Sequence, residues 1–188
     1  LALPLPGKSL RWKFSNLLLL DDFASHILLK LLAQAKEKVA YSWNPHPWFW
    51  VIRTSQELSY IKGLKETGSK FLKIVGGDTP LDRWTERFWQ RKETSYKFLF
   101  NFEKNRSFYY NVVDDYIVTF TLDDAATKYI DNLYESTASY QQLDIAKLMD
   151  LFKARYRLGF KIENSKNKAQ LIRKRFAKVF SANKQAKT

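Results

Sequence analysis

The spacing of apolar residues along this chain changes from a helical period to a strand period and back again. In the first half, apolar side chains recur at the i, i+3 and i+4 spacing of helices that bury one face. The helices predicted in this way cover residues 21–40, 55–62, 65–75 and 79–92. Pro80 fits the first turn of the last one, because a proline there loses no hydrogen bond. The run Trp48–Ile52 is short, aromatic and β-branched, which is typical of a buried strand.

Residues 97–122 show the period of two that a half-buried strand requires. Phe98, Phe100 and Phe102 recur at every second position of Lys97–Phe102, which places them on one side of a strand. The β-rich runs 108–113 and 116–122 meet at Asp114-Asp115, which is a hairpin signal although the usual glycine is missing. The pattern therefore predicts a three-stranded antiparallel sheet at about 97–122.

The helical period returns after residue 122 and gives the fold class. Helices are predicted from a cap at Asp123 or Asp124 to Tyr134, over Leu143–Arg157, and over Ser165–Phe180. We expect an α+β, mainly helical fold, in which helices pack with the small three-stranded antiparallel sheet and a winged helix is one possible arrangement. The predicted organisation is an extended arm at 1–16, a mixed helical body at 17–160, and a basic amphipathic C-terminal helix and tail at 161–188.

Charge separates the end of the chain from its body. Residues 151–188 carry twelve basic residues and one acidic residue, Glu163, so they hold +11 of the chain's net charge of +13. A near-neutral body with a basic end is the electrostatic pattern of a protein that binds a polyanion. The partner is then nucleic acid, either DNA or RNA, or an anionic membrane surface; a solvated lysine-rich tail is the alternative without a partner.

The predicted nucleic-acid contacts fall into two groups. The main group lies at the basic end and consists of Lys153, Arg155, Arg157, Lys161, Lys166, Lys168, Arg173, Lys174, Arg175 and Lys178. The second group is a ladder at i, i+4 and i+8 of the helix at 79–92, formed by Arg83, Arg87 and Arg91. Like charges at this spacing repel one another, so an external anion or the acidic neighbours Asp82 and Glu86 must balance them.

Two further patterns leave alternatives open. Residues 55–74 match the spacing of a helix-turn-helix at several positions, with Gly63 at the turn and with Lys65, Ser69, Lys70 and Lys73 facing a DNA groove. The chain is also rich in tryptophan and tyrosine, which either stack on single-stranded bases or form the core. These aromatic residues are Trp43, Trp48, Trp50, Trp84, Trp89, Tyr109 and Tyr110.

The sequence argues against an enzyme, a metal centre and a cofactor. It has no cysteine and two histidines, His26 and His46, and it has no glycine loop of the phosphate-binding type. The acidic pairs Asp114-Asp115 and Asp123-Asp124 could hold Mg²⁺, but a turn and a helix cap explain them. The lack of cysteine fits an intracellular, reducing compartment. No apolar run is long enough to cross a membrane, and the non-Met start is consistent with a fragment, a processed form or an internal start.

Three segments together loosely resemble winged-helix plasmid replication initiators. They are Tyr116–Asp124, Tyr129–Leu133 and Leu143–Arg157, the last of which ends in the basic-aromatic cluster Arg155-Tyr156-Arg157. The resemblance implies a DNA-binding protein in which a strand leads into one helix and then into a second helix that ends in this cluster. In size, basicity and non-Met start, the chain is also similar to small subunits of CRISPR interference complexes, which are helical bundles, and to processed organellar ribosomal proteins.

The sequence thus predicts a non-catalytic nucleic-acid-binding protein that contacts mainly backbone phosphate through its C-terminal helix. Such contacts position a protein without reading base sequence. We expect it to act as a subunit of a nucleoprotein assembly with other protein subunits. The alternatives are a replication-initiator-like DNA-binding protein and a structural subunit that docks on an acidic protein partner.

Overall fold

The structure, a computed structural model, describes residues 2–89 and 94–181 and is built around one mixed β-sheet. The strands are β1 (Ser9–Phe14), β2 (Val39–Asn44), β3 (Lys70–Val75), β4 (Thr94–Phe98), β5 (Phe108–Val113), β6 (Tyr116–Thr121) and β7 (Leu158–Asn164). All seven belong to a single sheet in the order β1-β7-β6-β5-β2-β3-β4. Strands β2, β3 and β4 are parallel to one another, and the remaining pairings are antiparallel.

Seven α-helices are present in the described residues. They are α1 (Leu17–Gln34), α2 (Trp48–Ile52), α3 (Thr54–Glu66), α4 (Pro80–Trp89), α5 (Asp124–Ser136), α6 (Ile145–Lys153) and α7 (Lys166–Ser181). The prediction of a mainly helical α+β fold with a small three-stranded sheet is therefore wrong, and so is its winged-helix variant. The structure instead has a seven-stranded mixed sheet with helices on both faces.

The secondary-structure prediction failed mainly at short apolar runs, because the spacing of apolar residues in a short run does not distinguish a strand from a helix. Residues 70–75 form β3 rather than a helix, so the helix-turn-helix at 55–74 is also wrong. Residues 48–52 form a helix, α2, rather than a strand. Residues 94–98 form β4, an edge strand that pairs parallel with β3 and does not join the β5–β6 hairpin. The sheet likewise differs from the helical bundle that the similarity to CRISPR small subunits implies.

Elements defined by local chemistry were predicted correctly. Asp123 caps α5, since its side chain accepts a hydrogen bond from the Ala126 N–H, and Pro80 is the first residue of α4. The β5–β6 hairpin forms across Asp114-Asp115, with Val113 opposite Tyr116. Asp114 takes a positive φ of 48°, which aspartate tolerates better than most residues. Helix α1, in contrast, begins at Leu17 rather than at residue 21, because the Asn16 side chain caps it.

The two faces of the sheet are covered unequally. Helices α1 to α6 all contribute to one large apolar cluster on the first face. On the second face, α7 is the single helix, within the described part of the chain, that packs against the sheet, and it does so through Ala169 and Phe176. Part of the second face therefore stays open to solvent. No helix in the described residues is long and apolar enough to cross a membrane.

Candidate nucleic-acid interface

The basic C-terminal helix forms as predicted and lies across the second face of the sheet. Its inner side buries Ala169 and Phe176 completely, with Ile172, Val179 and Phe180 partly buried beside them. The Phe176 ring makes edge contacts with Tyr41 and Phe102, at centroid distances of 5.7 and 5.1 Å. An aromatic anchor at the middle of the helix therefore fixes which side faces the sheet and which faces solvent.

Two arginines clamp the opposite flanks of α7 to the body. Arg173 donates a hydrogen bond to the Asp114 carbonyl oxygen and lies 3.9 Å from the Asp115 carboxylate. Arg175, two residues later and so about 200° around the helix, donates to Glu103 Oε1 at 2.6 Å and to the Phe102 carbonyl oxygen at 2.7 Å. Arg173 and Arg175 therefore both help to hold α7 on the sheet.

The first turn and the last turn of α7 are also held by lysines. Lys161 on β7 and Lys168 on α7 both form ion pairs with Glu163, and these hydrogen bonds lower the pKa of Glu163. Lys97 on β4 donates to the Val179 carbonyl oxygen at 2.6 Å, where a cation also complements the helix dipole. Four of the ten predicted C-terminal contact residues thus have structural partners.

The outer side of α7 carries a row of lysines without such partners. Lys166, Lys174 and Lys178 are exposed and spaced by eight and then four residues, which places them along one side of the helix. In the residues that the structure describes, none of their ammonium groups forms an ion pair or hydrogen bond. The row spans about 18 Å at 1.5 Å per residue. We call these three residues the outer lysine row.

The other predicted contact residues are not brought onto this surface. Lys153 is exposed at the end of α6, and Arg155 and Arg157 are exposed in the segment before β7, so the length of β7, about 23 Å, separates them from the start of α7. Arg83 and Arg87 are exposed on α4, whose Leu81 packs into the cluster on the first face. Arg83 pairs with Asp78 and stacks 3.8 Å over the Phe98 ring. Arg91 lies outside the described residues.

A second basic surface, which the sequence analysis missed, lies on the open part of the sheet beside α7. On β1, Arg11 and Lys13 are exposed and pair in register with Lys161 and Gly159 of β7. The alternation of polar and apolar residues in Ser9–Phe14 was the available signal, since it places Arg11 and Lys13 on one side of a strand. The groove between this face and α7, here called the sheet groove, is lined by Arg11, Lys13, Phe108, Lys161, Leu171 and Arg175.

The aromatic residues that could have stacked on bases are mostly core. Trp43, Trp48, Trp50, Tyr109 and Tyr110 are all nearly inaccessible to solvent. Trp84 stacks on Tyr140 with ring planes 4° apart and centroids 3.8 Å apart. Stacking on single-stranded bases by these residues, one of the two alternatives left by the sequence, would require the core to open. The side chain of Trp89 is not among those described.

His46 lies in a buried polar cluster at the end of β2, at the edge of the sheet where β3 also ends. Its Nδ1 lies 2.9 Å from Asp82 Oδ1, and its Nε2 lies 2.5 Å from Arg106 Nη2 and 3.4 Å from Asp131 Oδ1. Burial lowers the pKa of His46, but hydrogen bonds to Asp131 and Asp82 outweigh burial and raise it above the ordinary value. The Tyr134 ring stacks on the imidazole at 4.2 Å.

This arrangement fits a structural role better than catalysis. The His46 side chain is 1% exposed, and both ring nitrogens already have partners. In the neutral ring, Nδ1–H donates to Asp82 and Nε2 accepts from Arg106; in the charged ring, Nε2–H faces Asp131. Neither form leaves a nitrogen available to a substrate. Among the described residues, no group of three acidic or histidine side chains is placed to hold a metal ion.

A second buried cluster joins Asp21, Glu57 and Lys73 beneath α1 and α3. Lys73, which the helix-turn-helix hypothesis placed in a DNA groove, is 2% exposed on β3. The three side chains line a cavity of about 40 Å³ together with Ser42, Asn44 and Asn111. Burial raises the pKa of Asp21 to about 7 and that of Glu57 to about 8, and it lowers the pKa of Lys73 to about 7. A buried charge that is not fully compensated costs stability.

The buried carboxyls predict that stability falls as pH rises from 5 to 7. From pH 5 to 6 the folded protein keeps Asp21 and Glu57 largely protonated while the unfolded chain ionises them, so the folded state binds more protons. Each such proton contributes a slope of up to about 1.4 kcal/mol per pH unit. Near pH 7 the folded state also begins to lose protons from Asp21 and Lys73, so the slope becomes smaller but keeps its sign. Glu57→Gln should remove the contribution of one proton to the dependence of the free energy of unfolding on pH. Urea unfolding at pH 5, 6 and 7 measures this dependence. Glu66→Gln, an exposed change on the same helix, serves as the control, and equal slopes in both variants would contradict the prediction.

Comparison with known proteins gives distant structural similarities. The sequence matches no protein-family model and no curated protein. One similar solved structure is that of TrmBL2, described as an archaeal chromatin protein with a novel mode of DNA binding, at 11% identity and a TM-score of 0.47. The alignment covers 92% of this chain and 52% of that one, so this chain spans about half its length. Another is NucT from Helicobacter pylori, at 13% identity and a TM-score of 0.45, covering 93% and 97% of the two chains.

Proposed function

We propose that this protein binds nucleic acid through backbone phosphates, with the outer lysine row as its main contact. The observation that supports the proposal is that the basic residues of α7 form two groups, one paired with the body of the protein and one exposed without such partners. Lys168, Arg173 and Arg175 hold the helix on the sheet, whereas the ammonium groups of Lys166, Lys174 and Lys178 form no ion pair or hydrogen bond within the described residues. A row of about 18 Å matches roughly five base-pair steps at 3.4 Å each.

The proposed mode of action is positioning without chemistry. Lysine presents a compact point charge that pairs with phosphate, and contacts to phosphate carry no base-sequence information. His46, Glu57 and Lys73 are almost inaccessible to solvent, so none of these three side chains is exposed to a phosphodiester. The basic residues between α6 and β7 would add a second, separate contact to the same polyanion or to a neighbouring subunit.

The triple change of Lys166, Lys174 and Lys178 to Gln should weaken binding to labelled 20-base-pair duplex DNA. Each lost phosphate contact should reduce the slope of log affinity against log salt by about 0.9, and affinity at low salt should fall about tenfold or more. The measurement is a fluorescence-anisotropy titration at several salt concentrations. Since all three side chains are exposed, the urea midpoint should stay unchanged.

A matched control separates specific placement from loss of net charge. Lys62, Lys128 and Lys147 are exposed on α3, α5 and α6, and changing all three to Gln removes the same total charge from the opposite side of the molecule. The control should keep most of the affinity and the wild-type salt slope. Equal losses in the two triple variants would reject the outer lysine row as the contact. No binding of DNA or RNA at low salt by the folded wild type would reject the function itself.

A further inference from the structure

The open sheet face presents two rows of side chains that cross four strands. The pairing register gives one row as Arg11, Lys161, Thr119 and Tyr110, and the next as Lys13, Gly159, Thr121 and Phe108. Neighbouring strands lie about 4.8 Å apart, so each row is about 14 Å long, and the rows are separated by about 7 Å. At one end of both rows lie cations, and at the other end lie aromatic rings.

Helix α7 forms a wall over the aromatic end and makes this face concave. The space between α7 and strands β5 to β7 is about 670 Å³, and a second depression of about 360 Å³ extends it toward β1. The two depressions share Phe108, Thr119 and Lys161, so they form one continuous sheet groove. Each depression by itself has a volume within the range of pockets that hold a ligand of a few hundred daltons.

The lining of the sheet groove combines positive charge with apolar surface. Its two acidic residues, Glu103 and Glu163, are each already paired with cations of the same lining. Arg11 and Lys13 are exposed at the β1 end, and within the described residues their side chains have no acidic partner. Leu171 is 63% exposed on the α7 wall and faces the same groove as the half-buried Phe108 ring.

The lining of the sheet groove favours single-stranded over double-stranded nucleic acid. A duplex presents a uniform phosphate surface and keeps its bases stacked inside, so it would leave the apolar lining without a partner. An unpaired strand offers phosphate on one side and the faces of its bases on the other, and bases stack on aromatic side chains with about 1–3 kcal/mol each. A groove with cations at one end and Phe108 with Leu171 at the other complements the second form.

We propose that the sheet groove binds single-stranded nucleic acid, with phosphates at Arg11 and Lys13 and an unstacked base between Phe108 and Leu171. The proposal rests on the proposed function and extends it to a second, strand-selective contact. The outer lysine row then supplies attraction that is common to single and double strands, because phosphate contacts alone do not distinguish them. The sheet groove supplies the preference for the single strand.

Leu171→Ser tests the apolar end of the groove without placing a new charge three residues from Lys174 of the outer lysine row. It removes the apolar surface on which the base would lie, so affinity for a fluorescein-labelled 12-nucleotide oligo(dT) should fall about tenfold, while affinity for a 12-base-pair duplex should change less than about twofold. Leu19→Ser is the matched control, because Leu19 is 61% exposed on α1, on the other face of the sheet. Circular dichroism and urea midpoints should show that both variants fold.

Arg11→Gln together with Lys13→Gln tests the cationic end. The salt slope for oligo(dT) should decrease by about 1.4, which is two contacts at the single-strand value of about 0.7 each. Lys62→Gln together with Lys128→Gln controls for net charge. Groove variants that weaken single and double strands equally, or neither, would overturn the groove proposal even if the outer lysine row is needed for duplex binding. Loss of duplex binding by the outer-row variant with intact groove selectivity would support both.

Discussion

Replacing Phe176 by Ala should cost about 3–5 kcal/mol of the free energy of unfolding, which is typical of a large buried aromatic residue. Phe176 is completely buried, and its ring contacts Tyr41, Phe102 and Tyr110 on the second face of the sheet. A domain of this kind has a total stability of about 5–15 kcal/mol, so the loss is a large fraction of it.

The same substitution should also abolish nucleic-acid binding. Both the outer lysine row and the α7 wall of the sheet groove depend on the angle at which Phe176 seats the helix. Urea unfolding and anisotropy titration together measure the two effects. Leu171→Ala, a truncation on the exposed side of the same helix, should change stability by less than about 0.5 kcal/mol. A loss below about 1 kcal/mol for Phe176→Ala would show that α7 is docked mainly by its flanking ion pairs.

Asp82→Asn should have the second-largest effect, about 3–5 kcal/mol, because it removes one charge from a buried pair. Asp82 is fully buried, accepts hydrogen bonds from the Thr79 N–H and hydroxyl at 2.9 Å, and binds His46 Nδ1. Asparagine keeps the shape but not the charge that favours the imidazolium. Gly77 packs so closely here that an added Cβ would lie 2.2 Å from Asp82 Oδ2, so the site cannot relax easily.

The stability lost in Asp82→Asn should depend on pH, and the direction of this dependence tests whether pairing with the His46 imidazolium is the cause. His46 has a pKa raised above 6.5, so its contribution to stability is fully present below pH 6.5 and disappears as pH rises through the folded-state pKa. The difference between the wild type and Asp82→Asn should therefore be largest at pH 5–6 and smaller at pH 9. Asp78→Asn, which alters an exposed pair with Arg83, should cost less than about 1 kcal/mol at either pH. A difference that is constant from pH 5 to 9 would rule out the imidazolium as its origin.

Local signals predicted several elements of this fold correctly. The Asp114-Asp115 turn, the Asp123 cap of α5, Pro80 at the start of α4 and the amphipathic period of α7 each depend on a few adjacent residues. Such signals are available in the sequence because the chemistry that creates them is complete within one or two turns of chain. Prediction failed where the stabilising partner is distant: β3 pairs with β2 some thirty residues away, and β1 pairs with β7 about 150 residues away.

The candidate site likewise has features that the local sequence determines and features that depend on distant contacts. The sequence by itself determined that α7 is a basic amphipathic helix, because both its apolar spacing and its charge are properties of sixteen consecutive residues. Only the tertiary structure decided which of its cations remain available, since Arg173 and Arg175 find their partners on the β5–β6 turn and at Glu103. It also created the sheet groove, because the strand register alone brings Arg11 beside Lys161. Charge is encoded in composition, whereas its pairing depends on contacts between residues far apart in the chain.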